Sequence, residues 1–115
     1  MSVTIYHNPR CSKSRAALAL LQEQGVQPEV VEYLKHPPTK AELERLLQLL
    51  KLEPRDLMRK QEAEYKALGL DAPELSREAL IQALVDHPRL IERPIVVREG
   101  KAALGRPPEE VLRVL

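Results

Sequence analysis

The chain has 115 residues, with 18 Lys plus Arg against 17 Asp plus Glu and a formal net charge of +1. That length suits one domain with its own core, and the charge balance excludes the global basic field that nucleic acid or an anionic membrane would select. Hydrophobic residues make up 43%, with no Phe or Trp, so the composition is not that of a disordered chain and the core must draw on Leu, Val, Ile and Ala.

The first apolar run, "VTIY" (3–6), is β-branched and aromatic and predicts a buried strand. A helix is predicted over 12–24, where Ala17, Leu18 and Leu21 form one stripe and Gly25 supplies the stop. "EVVEY" (29–33) reads as a second strand. Strand, helix and strand with short joints imply parallel pairing through a right-handed crossover. "HPPT" (36–39) breaks the chain, and Thr39 with Glu42 fits a capping box. Leu43, Leu46, Leu47 and Leu50 then recur at i, i+3, i+4 and i+7, the pattern of an amphipathic helix. Pro54 is expected to open a short helix through "RDLMRK". Residues 60–75, punctuated by Gly69 and Pro73, are expected to form short helical pieces and loops. Ser76 is placed to cap a helix with Leu80, Ile81, Leu84 and Val85 inward, ended by Pro88. "PIVV" (94–97), "REGK" (98–101) and "AAL" (102–104) predict a hairpin, and "PPEEVLRVL" a final helix with acids in its first turn.

The order β-α-β, helices, β-hairpin, α is that of an α/β thioredoxin-like fold. The expectation is a mixed four-stranded sheet with helices on both faces. One domain is expected over 1–115, with a helical insertion at about 39–90.

The lone cysteine, Cys11, falls where the first strand meets the first helix, inside "HNPRCSKSR" (7–15). Ligand sites of open α/β sheets gather outside the carboxyl ends of strands. A helix N-terminus there offers unpaired N–H groups and partial positive charge, which lower a thiol pKa and bind oxyanions. Arg10, Lys13 and Arg15, with His7 when protonated, are expected to add cationic field. Position alone leaves two readings open, because free Cys is also a common small core residue; the charged flanks favour a nucleophile. One Cys and three scattered His give no metal-ligand spacing. Ser14, three residues after Cys11, excludes a two-cysteine redox motif.

A single cysteine also argues against a disulfide-stapled secreted domain. "MSVTIYHNP" lacks the layout of a signal peptide, and no apolar stretch approaches the roughly 18 residues of a membrane span. A soluble cytoplasmic protein is expected.

At this point the chain resembles the glutaredoxin-coupled arsenate reductases, the ArsC-like branch of the thioredoxin fold, and most of all their short single-cysteine members. "TIYHNPRCSKSR" carries the His-Asn-Pro-x-Cys-x-x-Ser-Arg loop at His7 to Arg15. "YLKHPPTKAEL" (33–43), "LMRK" with Arg59, "HPRLIERPIVV" with Arg93 and Pro94, and "GRPPEEVL" with Arg106 follow in order. The resemblance implies that Cys11 attacks arsenate and that Arg59, Arg93 and Arg106 gather the oxyanion. It implies that His7, Ser14 and Arg15 set the thiolate's environment, and that Arg93–Pro94 is a cis peptide. It also implies glutathione as co-substrate and glutaredoxin as partner, with no bound metal or organic cofactor; a monomer is expected. Two other functions are weighed beside it. One is a thiol oxidoreductase of the same fold acting on another substrate; the other is a non-enzymatic, Spx-like regulator that binds RNA polymerase.

Overall fold

Strand β1 (Val3–His7) alternates buried Val3, Ile5 and His7 with half-buried Thr4 and Tyr6, the period-2 pattern of a strand with one face on a core. It lies inside a four-stranded sheet of order β2-β1-β3-β4 in this computed structural model, which describes residues 2–115. β2 (Glu29–Glu32) runs parallel to β1, whereas β3 (Ile95–Arg98) and β4 (Lys101–Leu104) add antiparallel pairs. β2 is an edge strand, so Glu29 and Val30 stay exposed.

The chain divides into two compact units: the residues up to His36 together with Arg93–Leu115, and Pro37–Glu92. The first contains the sheet, helix α1 (Ser12–Glu23) and a terminal 3₁₀ segment (Pro108–Val114). Its core joins Val3 and Ile5 of β1, Val96 of β3, Ala103 of β4, Ala17 and Leu21 of α1, and Val111 and Val114. The strand registers explain the selection, since Ile5 pairs with Val96 and Val96 with Ala103, so these side chains share one face. The hairpin between β3 and β4 turns on Glu99 (φ 42°) and Gly100 (φ 75°), the two positive φ angles that a twist-matched two-residue turn needs.

The last segment differs from the expected α-helix. Val111 and Val114, its two buried side chains, are three residues apart. A 3.0-residue turn stacks such a pair on one line.

The second unit contains α2 (Lys40–Leu50), α3 (Ala63–Ala67), α4 (Arg77–Asp86) and 3₁₀ turns at Pro54–Leu57 and Pro88–Leu90. The expected capping box is present. Thr39 Oγ1 accepts the Glu42 N–H at 3.2 Å, and Glu42 Oε1 accepts the Thr39 N–H at 3.1 Å. Leu43, Leu46 and Leu47 are buried and Leu50 is half-buried. Ser76 Oγ accepts the Ala79 N–H, as the Ser cap predicts. Two expectations are corrected. Ala83 rather than Val85 joins Leu80, Ile81 and Leu84 in the buried face of α4. The helix expected through "RDLMRK" stops at Leu57, because Met58 extends to pair with Ile91. The flanking bonds, Arg59 N–H to the Leu90 carbonyl at 2.7 Å and Glu92 N–H to the Leu57 carbonyl at 2.8 Å, hold that bridge.

Candidate active site

β1 delivers the chain into a tight turn at Asn8–Cys11. Pro9 occupies the position where its fixed φ is favourable, and the Asn8 carbonyl accepts the Cys11 N–H at 3.0 Å. Asn8 Oδ1 also accepts the Arg10 N–H at 3.0 Å, and the Arg15 guanidinium donates through Nη1 to the Pro9 carbonyl at 2.9 Å. The turn is thus braced from both sides. Cys11 follows in extended conformation as the N-cap of α1, half-buried.

Among the described residues, the buried polar or charged side chains are His7, Ser14 and Arg93. Every one belongs to this site. Ser14 Oγ accepts the Asn8 N–H at 3.0 Å and lies 2.6 Å from His7 Nδ1. Burial lowers the His7 pKa, with Arg15 acting the same way and Glu32 opposing. The neutral imidazole is favoured at neutral pH.

Arg93 arrives from just before β3, on a cis peptide to Pro94, as the resemblance implied. It is only 9% exposed, and its positive charge acts on the Cys11 thiol. Its Nε and Nη1 are buried with no hydrogen-bond partner. Buried donors on a charged group are costly to leave unpaired. The guanidinium therefore presents unmet demand for an anion beside the thiol.

Burial by itself would raise the Cys11 pKa. The Ser14 backbone N–H, the Arg93 charge, the Lys13 backbone N–H and the Arg93 hydrogen bond outweigh it, so the pKa is lowered. The sulfur makes no close capping hydrogen bond to the helix, so the two amides act at slightly longer range. The helix N-terminus and Arg93 supply the positive field, as expected; the basic residues adjacent in sequence add less than expected. Arg10 and Lys13 are exposed, Arg15 is committed to the Pro9 carbonyl, and His7 is neutral; the side-chain cation that acts on the sulfur is Arg93.

Gly105, which sequence reasoning passed over, holds this arrangement together. Its N–H donates to the Pro94 carbonyl at 2.9 Å. A Cβ there would stand 2.6 Å from Pro94 Cγ and 3.0 Å from Val111 Cγ1, so only glycine permits the approach. The available signal was a glycine ending a strand directly before Arg-Pro. Arg106 follows Gly105, exposed, on a second cis peptide to Pro107. Arg59 stands in the helical unit, where its Nη1 meets Glu62 Oε1 at 2.5 Å. The structure thus brings Cys11, His7, Ser14, Arg15 and Arg93 into one network and sets Arg106 next to the glycine that supports it.

A mixed sheet of this topology, with one activated thiol at the first helix N-terminus and a cis proline before the third strand, defines a thioredoxin-like protein built around a single cysteine. The ArsC family model matches residues 6–114, and the chain belongs to the ArsC family. It is 59% identical over 114 residues to the uncharacterized protein YfgD of Escherichia coli (strain K12), covering 98% of this chain and 96% of that one. It is 54% identical to an arsenate reductase of Neisseria meningitidis (strain MC58), covering 98% and 97%. The solved arsenate reductase from Vibrio cholerae superposes with a TM-score of 0.98 at 56% identity, covering 100% of this chain and 98% of that one.

Proposed function

We propose that the protein is a glutathione- and glutaredoxin-dependent arsenate reductase in which Cys11 is the nucleophile. The observation that carries this reading is Arg93: a buried guanidinium whose charge acts on the Cys11 thiol and which keeps two donors unpaired. Bringing an arsenate anion to a thiolate sets like charges together, a repulsion of about 4 kcal/mol at ~4 Å and an effective dielectric of 20. Arg93 offsets that charge and forks onto the oxygens. Attack forms a Cys11–arsenic bond and expels water, with the proton supplied by arsenate itself. Glutathione then bonds to the arsenic and displaces a second water. The glutaredoxin thiolate attacks the glutathione sulfur, the sulfur–arsenic electron pair passes to arsenic and reduces it by two electrons, and water cleaves the Cys11–arsenic bond to release arsenite.

External thiols are needed because Cys11 is the chain's only cysteine. That requirement suits the cytoplasm, where glutathione keeps thiols reduced. No helix among the described residues is long and apolar enough to cross a membrane. Roles for Arg59 and Arg106 in holding the oxyanion rest on the family resemblance, and neither is needed to form the Cys11–Arg93 pair.

The test is arsenate-dependent NADPH oxidation with glutathione, glutaredoxin and glutathione reductase. Turnover by the native protein and none by Cys11→Ser is expected. Arg59→Ala and Arg106→Ala are expected to raise KM for arsenate. Native protein that is silent with arsenate, while its thiol is glutathionylated rapidly at neutral pH, would move the assignment to another substrate.

A further inference from the structure

The Cys11 site has a feature that arsenate reduction does not use. It activates a nucleophile and receives an oxyanion, yet among the described residues none of its buried side chains (His7, Ser14, Arg93) is a ready proton donor. His7, its one buried group that ordinarily titrates near neutrality, is kept neutral by burial and has its Nδ1 on Ser14. Arginine does not surrender a proton. Arsenate circumvents this lack by carrying its own protons. A second class of substrate circumvents it more directly: one whose leaving group departs as a stable oxyanion and needs no proton.

We infer that the same site accepts thiosulfate and acts as a thiosulfate:thiol sulfurtransferase. In this reaction the Cys11 thiolate bonds to the outer sulfur of thiosulfate. The sulfur–sulfur bond of thiosulfate breaks, and its electron pair leaves with the inner sulfur as the sulfite dianion. The product is a Cys11 persulfide anion, so charge and atoms balance without proton transfer. Glutathione then receives the outer sulfur: its thiol proton passes to Cys11 and glutathione persulfide departs.

Three observations fit this chemistry together. The unpaired Nε and Nη1 of Arg93 are donors for a trigonal group of oxygens one bond away from the attacked sulfur. The Lys13 and Ser14 amides, which already favour negative charge on Sγ, also favour the persulfide anion formed there. The chain contains no second cysteine to consume the persulfide, so it survives until an external thiol arrives. The activity needs no arsenic and stands apart from the arsenate reading, though both use the same sulfur and guanidinium.

The experiment incubates the full chain, reduced and freed of small thiols, with sodium thiosulfate. Sulfite is measured in solution and the mass of the intact protein is recorded; glutathione is then added. One equivalent of sulfite, a mass gain of one sulfur atom, and loss of that mass on adding glutathione are expected. Cys11→Ser should show none of these. Arg93→Lys, which keeps the charge but loses the fork, should release sulfite about tenfold more slowly or less. Circular dichroism reports whether each preparation is folded, and alkylation of Cys11 by iodoacetamide whether the thiol of the native and Arg93→Lys proteins is free. Sulfite release no faster than in Cys11→Ser, from native protein that alkylates normally, overturns the inference. Arsenate turnover measured on the same preparation separates the two readings. Arsenate turnover without sulfite release removes only sulfur transfer, and sulfite release without arsenate turnover removes only arsenate reduction.

Discussion

At Cys11 two opposing effects meet. Partial burial favours the neutral thiol, while the α1 amides and Arg93 favour the thiolate, and the second group prevails. Alkylation of Cys11 is therefore expected to show a pH midpoint below that of an ordinary thiol. In Arg93→Ala the midpoint should move upward and kcat/KM for arsenate should fall by about a hundredfold, as for loss of one preorganised anion donor. A midpoint unmoved by the substitution would show that the helix amides alone ionise the thiol.

His7 gives the second prediction at this scale. Its native pKa lies below the ordinary histidine value because of burial. As pH falls through the ordinary value toward the lower native one, the unfolded chain takes up the proton before the native protein does. Stability contributed by neutral His7 is thus present at neutral pH and lost across that window on acidification. Urea unfolding at stepwise lower pH should show the loss, and His7→Asn should flatten it.

Among the elements, the junction of β4 with the strand segment at Pro94 sets the site. Gly105 admits the Pro94 ring at a distance no side chain tolerates. Gly105→Ala is expected to cost roughly 1–3 kcal/mol, the usual range for overpacking a closed contact. It should also slow Cys11 alkylation, because relief of the clash displaces Pro94 and the arginine before it. Thermal melting and alkylation rate on one sample read both effects. Sequence patterns specified most elements well, for local reasons. Thr39 with Glu42 and Ser76 with the Ala79 N–H satisfy backbone groups a few residues away, so their bonds can be read from spacing. The misreadings came where distant partners intervened. Met58 leaves its helix to pair with Ile91, and the last segment tightens to bury Val111 and Val114 against the sheet.

Across the whole molecule, positive and negative charges nearly cancel, leaving +1. Attraction for an anion is therefore local, and one element of it is a guanidinium that water barely reaches. Buried charges are screened less by salt than exposed ones. KM for arsenate is expected to change by less than about threefold between low and physiological ionic strength, read from steady-state kinetics. A steep rise would assign the attraction to exposed Arg10 and Lys13 instead.

The order of secondary-structure elements, the two helix caps, the hairpin and the thiol at the β1–α1 joint were determined by the sequence alone, since each rests on contacts among near neighbours along the chain. The fold and the residues that gather at the thiol could also be named from motifs. The tertiary structure decided which cation acts on the sulfur. The basic residues beside Cys11 in sequence point into water or bind the turn, where solvent weakens their charge. Arg93, remote in sequence, is folded into a desolvated position against it. Electrostatic strength depends on distance through space and on exclusion of water, and only the folded chain sets both.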